Sequence, residues 1–409
     1  MGSRCAIFDT VNSPIQSFDY PWPILKVVLE GSSILDVPRL ELKTMDEANA
    51  FVVAYGFDPS SPDDVELLWG FYEDAINFIE RSLVDPANPK VPEHLRTRKS
   101  VSDIRRLLLI ASERVGNSDQ MHACAILRVM HVIIHITYDP RLKFYLQMQS
   151  QVLSRLDKFL YTDSATGATY LGKSEQGGGI KLLYFKKKER KDRDREIIKL
   201  LHKADSVVEE IYDRVGIRLV TETKFEAIKA VKLLLEKNII SLPNVRPGRS
   251  RNRLIDLKRL TFEIDRIHVH IAKNVDAPYV DKLIKRLESR IGTRRLGRSL
   301  INPHSSEHYK AIQFTCRELV RINNPQYQSY LAVKSHLSNI PGGSQMMSEV
   351  FPEAPPKFDY GFFPYEIQIM DVKAYADSIF GKSNHEEYRR KQLESARARV
   401  FGRALADRD

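Results

Sequence analysis

The feature that most restricts the fold is a short segment around residue 366 in which apolar and polar residues alternate with a period of two. A period of two places successive side chains on opposite faces of a β-strand. In the segment 365–371, Glu366 and Gln368 fall on one face, and Tyr365 and two isoleucines fall on the other. The pattern predicts a strand that is buried on one face and presents a carboxylate beside an amide on the other.

The segment 307–316 predicts a second strand of the same kind. Its core face carries Ile312, Phe314 and Cys316, and Tyr309 falls on the opposite, more polar face. A tyrosine ring on that face can stack on a nucleobase, which contributes roughly 1–3 kcal/mol. The alternative is an ordinary surface tyrosine of a sheet, and the pattern by itself favours that alternative.

A third strand is predicted over residues 213–220. Gly216 interrupts its β-branched run, as the close approach of a ligand or of another backbone requires. The strand begins at Asp213 and also carries Arg218. A carboxylate on this strand and a second one at Glu366 form the arrangement that binds magnesium and positions a hydroxyl for phosphoryl transfer.

The whole chain is predicted to be an α+β protein in which an all-α domain precedes a mixed-sheet domain. Helices are expected from Ser61, over 100–111, and from Asn117 to His135. The predicted organisation is an irregular segment at 1–40, a helical domain at 41–160, a Gly/Ser/Thr-rich linker or loop at 161–180, a mixed sheet flanked by helices at 181–392, and a charged tail at 393–409.

Cysteine usage and hydropathy indicate a reducing, aqueous compartment. The 3 cysteines lie far apart in the sequence, so they predict neither a disulfide framework nor a zinc site. No apolar run reaches the length of about 18 residues that a membrane span needs. The first residues also lack the apolar segment of a secretory signal. We therefore expect a cytoplasmic protein that does not contact a membrane.

Two local motifs each allow a structural interpretation beside the functional one. His131 and His135 lie four residues apart on a predicted helix and could share a metal ion, but no neighbouring carboxylate completes a site, so a structural role is favoured. Glycines 177–179 could let backbone amides approach a phosphate, although a flexible linker is an equally good interpretation.

Positive charge is concentrated in two segments of a chain whose formal net charge is +10. Residues 241–300 hold 15 Lys or Arg against 6 Asp or Glu, and residues 181–203 hold 10 against 4. Such clusters favour a polyanionic partner, either nucleotide phosphates or nucleic acid. The alternative is a pair of solvated surfaces.

Together these motifs resemble the synthetase domain of the RelA/SpoT-type alarmone synthetases, which transfer pyrophosphate from ATP to the 3′-hydroxyl of GDP or GTP. The family's Asp-x-x-Gly-x-Arg strand resembles residues 213–218, and its Glu-Val-Gln-Ile-Arg-Thr strand resembles residues 366–371. Its Gly-Tyr-Arg-Ser-Leu-His strand is matched more loosely by 308–313, and its His-x-x-Tyr-Lys helix by 385–389. The resemblance covers about residues 175–392.

The resemblance implies a nucleotidyltransferase-like fold with magnesium as the cofactor and ATP as the pyrophosphate donor. It implies that Asp213 holds the metal together with Glu366, and that Glu366 also orients or deprotonates the acceptor hydroxyl. It further implies that Tyr309 stacks on guanine. The other residues that it assigns to nucleotide binding are Gln368, Arg218, His385, Lys310, Lys181, Lys186 and Lys188.

The sequence also departs from the family pattern. His308, Ala311 and Gln313 replace the family's Gly, Ser and His, and Met370 replaces its Arg. Three hypotheses therefore remain: alarmone synthesis, pyrophosphorylation of tRNA 3′ ends with RNA held by the basic segment 241–300, and a non-enzymatic nucleotide-binding regulator. The pattern does not specify an oligomeric state.

Overall fold

The computed structural model describes residues 21–86, 90–172, 179–188, 192–202, 214–272, 277–291, 309–380 and 385–402. Within these ranges the helices are α1 (Trp22–Leu29), α2 (Met45–Tyr55), α3 (Pro62–Phe78), α4 (Arg98–Val101), α5 (Arg106–Ile110), α6 (Ser118–Thr137), α7 (Pro140–Lys143), α8 (Tyr145–Asp157), α9 (Arg193–His202), α10 (Lys224–Glu236), α11 (Leu257–Ile271), α12 (Ala277–Arg290), α13 (Pro325–Leu337), α14 (Gly343–Val350), α15 (Val372–Phe380) and α16 (His385–Val400). The strands are β1 (Leu160–Thr162), β2 (Thr169–Leu171), β3 (Ile180–Lys188), β4 (Val215–Thr221), β5 (Arg251–Asn252), β6 (Ile312–Asn323) and β7 (Phe358–Asp371).

These elements confirm the predicted α+β class, and they belong to two compact units. The first unit is drawn from residues 1–138, 192–210 and 389–409, and the second from 139–191 and 211–388. The division differs from the predicted boundary at residue 160, because α8 packs against the sheet rather than with the N-terminal helices.

The first unit is built around α6. Asn117 caps this helix by accepting from the amide of Asp119, and Ser61 caps α3 in the same way, so both predicted helix starts are confirmed. By length and composition α6 could cross a membrane, but 72% of its most apolar window is buried within the protein, as in the core helix of a soluble domain.

Three expectations for local structure need correction. The helix expected over 100–111 is divided into α4 and α5, because Ser102 adopts a φ of 62°, which lies outside the range of a right-handed helix. The expected linker at 161–180 contains β1 and β2, which pair as an antiparallel hairpin. The tail expected from residue 393 begins inside α16, which extends to Val400.

The second unit contains a seven-stranded mixed sheet in the order β1-β2-β3-β4-β7-β6-β5. The central pair, β4 and β7, is parallel, and the other neighbours are antiparallel. Tyr365, Ile367 and Ile369 of β7 lie on one face, where they pack with buried residues of α8 and α10. This face is the core, and it confirms that Tyr365, Ile367 and Ile369 point away from Glu366.

A buried ion pair joins the start of the second unit to the start of β4. Asp139 and Arg214 form it with side chains that are 2% and 3% exposed, and Arg141 donates to the same carboxylate at 2.7 Å. Burial alone would raise the pKa of Asp139, but the hydrogen bonds from Arg141 and Arg214 outweigh it, and the pKa lies below its ordinary value. The pair therefore contributes to stability at neutral pH.

Asp139→Asn is expected to destabilise the second unit by about 3–5 kcal/mol, because the buried Arg214 then faces a neutral side chain. The matched control is Asp157→Asn, whose ion pair with Lys187 is 45% and 36% exposed, and which should cost at most about 1 kcal/mol. Thermal unfolding is best followed by circular dichroism, since Trp22 and Trp69 both belong to the first unit.

The same variants have an expected pH dependence. Since the folded pKa of Asp139 is depressed, its contribution is present above the ordinary value of 3.8 and is lost as the pH falls below it. The stability difference between wild type and Asp139→Asn should therefore shrink in acid. A difference that is small at neutral pH, or that grows in acid, would show that the ion pair does not stabilise the fold.

Candidate functional site

The candidate site lies on the polar face of the three central strands. Glu366 and Gln368 project from β7 on the side opposite the core, as the sequence predicts. The register of the sheet places these cross-strand partners on the same face: Gly216 and Arg218 on β4, and Thr315 and Gln313 on β6. Gly216, the partner of Glu366 on β4, contributes no side chain to this face.

Glu366 is a buried carboxylate that is held by two neutral amides. Glu366 is 9% exposed. Gln313 Nε2 donates to one carboxylate oxygen at 2.6 Å, and Gln368 Nε2 donates to the other at 2.7 Å. These hydrogen bonds fix the orientation of the carboxylate without supplying a positive charge to neutralise it.

Gln368 links this carboxylate to a cation and a phenol. Its Oε1 accepts from Arg218 at 3.0 and 3.2 Å and from the Tyr309 hydroxyl at 3.2 Å. Because arginine only donates, the amide must turn its oxygen toward Arg218 and its NH₂ group toward Glu366. The network therefore has a defined direction, from Arg218 and Tyr309 through Gln368 to Glu366.

Tyr309 is half-buried and lies three residues before β6, so it is not part of that strand, whereas the sequence predicted it within a strand over 307–316. Burial raises the pKa of its hydroxyl to about 12, and the charge of Glu366 adds to the rise, while Arg218 and Arg253 oppose it. The hydroxyl is thus a neutral donor at physiological pH. Its interactions place Tyr309 beside Glu366, as predicted, whereas its stacking on a base stays a prediction.

Two arginines that the sequence did not single out lie at the same face. Arg251 of β5 is the cross-strand partner of Gln313, and Arg253 follows two residues later, where its backbone amide donates to Ala311. Arg253 is 9% exposed. Burial lowers the pKa of Arg253, and the like charge of Arg251 lowers it further. Their location in the basic segment 241–300 was the only signal in the sequence, and it does not distinguish them from the other cations there.

The cations around this face have no acidic partners in the described part of the chain. There, neither Arg218 nor Arg253 forms an ion pair with a carboxylate, and Arg218 donates instead to the neutral amide of Gln368. A buried cation next to a like charge is costly unless an anion joins it. The arrangement therefore favours binding of an anion such as phosphate.

The four lysines that were predicted to bind nucleotide do not all lie at the polar face. Lys186 of β3 is the cross-strand partner of Arg218, so it lies at the polar face and is exposed. Lys188 is paired with Gly216, but its side chain lies outside the described part of the structure. Lys181 lies in the part of β3 that pairs with β2, at the opposite end of β3 from Lys188, whose partner Gly216 is paired with Glu366. Lys310 is half-buried next to Tyr309.

Two further predicted residues fall outside what the structure describes. Asp213 precedes the first described residue of β4, and the side chain of His385, at the start of α16, is likewise not described. Tyr388, three residues after His385, does interact electrostatically with Tyr309. The first turn of α16 is therefore close to the network.

An aromatic pair that the sequence analysis did not assign adjoins the network. Tyr184 of β3 stacks on Tyr375 of α15 with ring centroids 4.9 Å apart and an interplanar angle of 25°. Burial raises the pKa of Tyr375, as do its hydrogen bond with Tyr184 and the nearby Tyr184 hydroxyl, while the charge of Arg218 lowers it. The pair thus forms an aromatic wall near the predicted phosphate-binding cations.

The described side chains were compared with the ligands that a magnesium ion needs. Within the described ranges no group of three or more His, Cys, Asp and Glu could hold a metal ion. Magnesium bound with nucleotides typically uses only one or two protein carboxylates, together with phosphates and water. Glu366 fits that requirement as one such carboxylate.

His131, one of the two histidines considered as metal ligands, hydrogen-bonds to Tyr55 at 2.9 Å. Burial, with a smaller effect of His135, lowers the pKa of His131 to about 4.

Comparisons with known proteins add no assignment: no model of a protein family matches the chain, and no curated protein matches it.

Gln368→Leu is expected to destabilise the second unit by about 1–3 kcal/mol, because Arg218 and Tyr309 lose their acceptor and Glu366 loses a donor. The control is Gln345→Leu on α14, where the exposed amide donates to Glu349 at 3.3 Å, and which should change stability by about 0.5 kcal/mol or less. Urea unfolding compares the two variants. Equal midpoints would show that the network does not organise the site.

Proposed function

We propose that the second unit is a nucleotide-binding domain of a cytoplasmic enzyme that transfers pyrophosphate from ATP to the 3′-hydroxyl of a guanine nucleotide. The observation that carries this proposal is Glu366, a buried carboxylate oriented by two neutral amides, close to Arg218 and Arg253, which form no ion pair with a carboxylate in the described ranges. The motif order in the sequence supports the same reaction. The mixed sheet is compatible with the nucleotidyltransferase-like fold that the resemblance implies.

Phosphate binding is assigned to the arginines of the polar face. Arg218 lies on one side of β7, and Arg251 of β5 and Arg253 just after it lie on the other, so they can contact different phosphates of one nucleotide. Guanidinium groups match phosphate oxygens with paired hydrogen bonds. Lys186, the exposed partner of Arg218, adds a further positive charge at the open side.

Glu366 is assigned the role of general base. The 3′-oxygen of the acceptor would attack the β-phosphorus of ATP, the bond between the β-phosphorus and the bridging oxygen to the α-phosphate would break, and AMP would leave. The proton of the 3′-hydroxyl would pass to the Glu366 carboxylate and then to solvent. A base in this position typically contributes about 10²–10⁴-fold to the rate.

Magnesium, when bound, would neutralise charge on the transferred phosphates. Glu366 is the described residue that would contribute to holding it, and Asp213 is the second ligand that the sequence predicts. Gln313 and Gln368 would keep the Glu366 carboxylate in place through their amide hydrogen bonds.

A second candidate function is nucleotide binding without turnover. Met370, which replaces an arginine of the family pattern, is completely buried next to Val220, so no cation reaches the phosphates from this position. In our proposal Arg251 and Arg253 take over that charge. If they do not, the domain would act as a nucleotide-dependent regulator.

Glu366→Gln is expected to lower the rate of AMP formation by about 10²–10⁴-fold, because the amide cannot accept the proton. Purified protein is incubated with ATP, magnesium and either GDP or GTP, and the nucleotides are separated by chromatography. Glu222→Gln, at an exposed carboxylate directly after β4, is the control and should retain full activity. Absence of AMP with wild-type protein and every acceptor, combined with nucleotide binding, would support the regulator instead.

Arg253→Met is expected to weaken ATP binding by roughly tenfold or more, since charge-assisted hydrogen bonds contribute about 1.5–3 kcal/mol. Isothermal titration calorimetry measures this affinity without requiring turnover. Arg259→Met removes the same charge from an exposed position on α11 and serves as the matched control. If both variants bind ATP with wild-type affinity, the phosphates do not bind at this face.

A further inference from the structure

The strands β6 and β7 continue beyond the rest of the sheet as a two-stranded arm. Residues 317–323 of β6 pair with residues 358–364 of β7. The neighbouring strands do not extend that far: β4 pairs with β7 only from Tyr365 onward, and β5 pairs with β6 only at Ile312 and Gln313. Within the described ranges the arm therefore pairs with no further strand at either edge.

The inner face of the arm packs against α8. Glu318, Val320 and Ile322 are buried there, and Arg155 of α8 forms an ion pair with Glu318 at 2.7 Å. The side chain of Gln151, also on α8, donates to the backbone oxygen of Arg321 at 2.6 Å. These contacts fix which side chains point outward, because a shift of one residue would exchange the two faces.

The outer face is aromatic and exposed. The register places Leu319 opposite Phe362 and Arg321 opposite Tyr360. Leu319, Tyr360 and Phe362 are 50%, 62% and 52% exposed, and Phe358 lies on the same face at the end of the arm. The solvated face of a sheet ordinarily carries polar residues, so a row of three exposed rings on one strand indicates a binding surface.

The charge on this outer face is positive. The guanidinium of Arg317 lies 5.1 Å from the centre of the Phe362 ring, and that of Arg321 lies 5.4 Å from the centre of Phe358. The carboxylates of the arm, Glu318 and Asp359, both belong to the opposite face by register. The outer face thus combines aromatic rings with cations and carries no acidic residue of the arm.

We propose that the outer face of this arm binds single-stranded nucleic acid. Bases would stack on Phe358, Tyr360 and Phe362, whose alternate positions on one strand lie about 7 Å apart. Arg317 and Arg321 would pair with the phosphates and stack on bases through their guanidinium planes. The positive charge and the rings together favour this polymer over a neutral or basic peptide. The proposal does not depend on the transfer reaction, because binding requires no turnover.

The test uses the full-length protein and fluorescence anisotropy with two labelled probes, a uridine RNA 12-mer and a thymidine DNA 12-mer. Wild type should bind the single strands with an affinity that falls as salt rises, with a slope of about −0.7 for each phosphate contacted. Tyr360→Ala should weaken binding about tenfold, as expected for the loss of one stacked base. Arg317→Gln should reduce the salt slope by about one such contact.

Phe262→Ala is the matched control. Phe262 lies on α11, is 60% exposed and has the guanidinium of Arg266 at 5.9 Å from its ring centre, so it reproduces an exposed ring with an arginine outside the arm. It should leave binding unchanged. Thermal midpoints verify that each variant is folded, and Phe362→Ser provides a second arm variant.

Three results would overturn the proposal. The first is failure of wild type to bind either probe at low salt. The second is wild-type affinity in Tyr360→Ala and Phe362→Ser as well as in Phe262→Ala. Equal affinity of wild type for a duplex of the same length counts in the same way, since either result means that no base stacks on the arm. The third is a self-associating wild type that becomes monomeric in the arm variants while its probe binding is unchanged, which would identify the face as an interface between two copies.

Discussion

The amide of Gln368 is the interaction on which the organisation of the polar face depends. Its oxygen accepts from Arg218 and Tyr309, and its NH₂ group donates to Glu366. An amide is the side chain that can satisfy donors on one side and a carboxylate on the other. A carboxylate at this position would repel Glu366, and an apolar residue would leave buried donors without acceptors. The site therefore holds a buried carboxylate whose described hydrogen bonds come from amides, one of which links it to Arg218.

The sheet makes this arrangement possible through its register. The parallel pairing of β4 with β7 aligns Arg218 with Gln368, and the antiparallel pairing of β6 aligns Gln313 with the same residue. A one-residue slip in any of these strands would move the polar side chains into the core and the core residues onto the polar face. The apolar face of β7 therefore secures the geometry of the polar face.

The three central strands and their faces were predictable because period-two alternation is a local property of the sequence. The strand order and register depend on long-range pairing, so the contact between Gln313 and Glu366 could not be derived from spacing. Arg251 and Arg253 were missed for the same reason, since they are brought to the site by a two-residue strand within a basic segment. The break at Ser102 depends on one left-handed residue, which an apolar pattern does not reveal. Lys181 was included because of its charge, but strand pairing places it beside β2.

In the proposed function, the phosphates of a nucleotide lie among the arginines beside Glu366. A crystal structure of the protein with a non-hydrolysable ATP analogue and magnesium tests this most directly. We expect the phosphates to contact Arg218 and Arg253, with Glu366 within hydrogen-bonding reach of the acceptor position. An analogue that occupies another surface, while the Arg218–Gln368–Glu366 network stays without a ligand, would contradict the account.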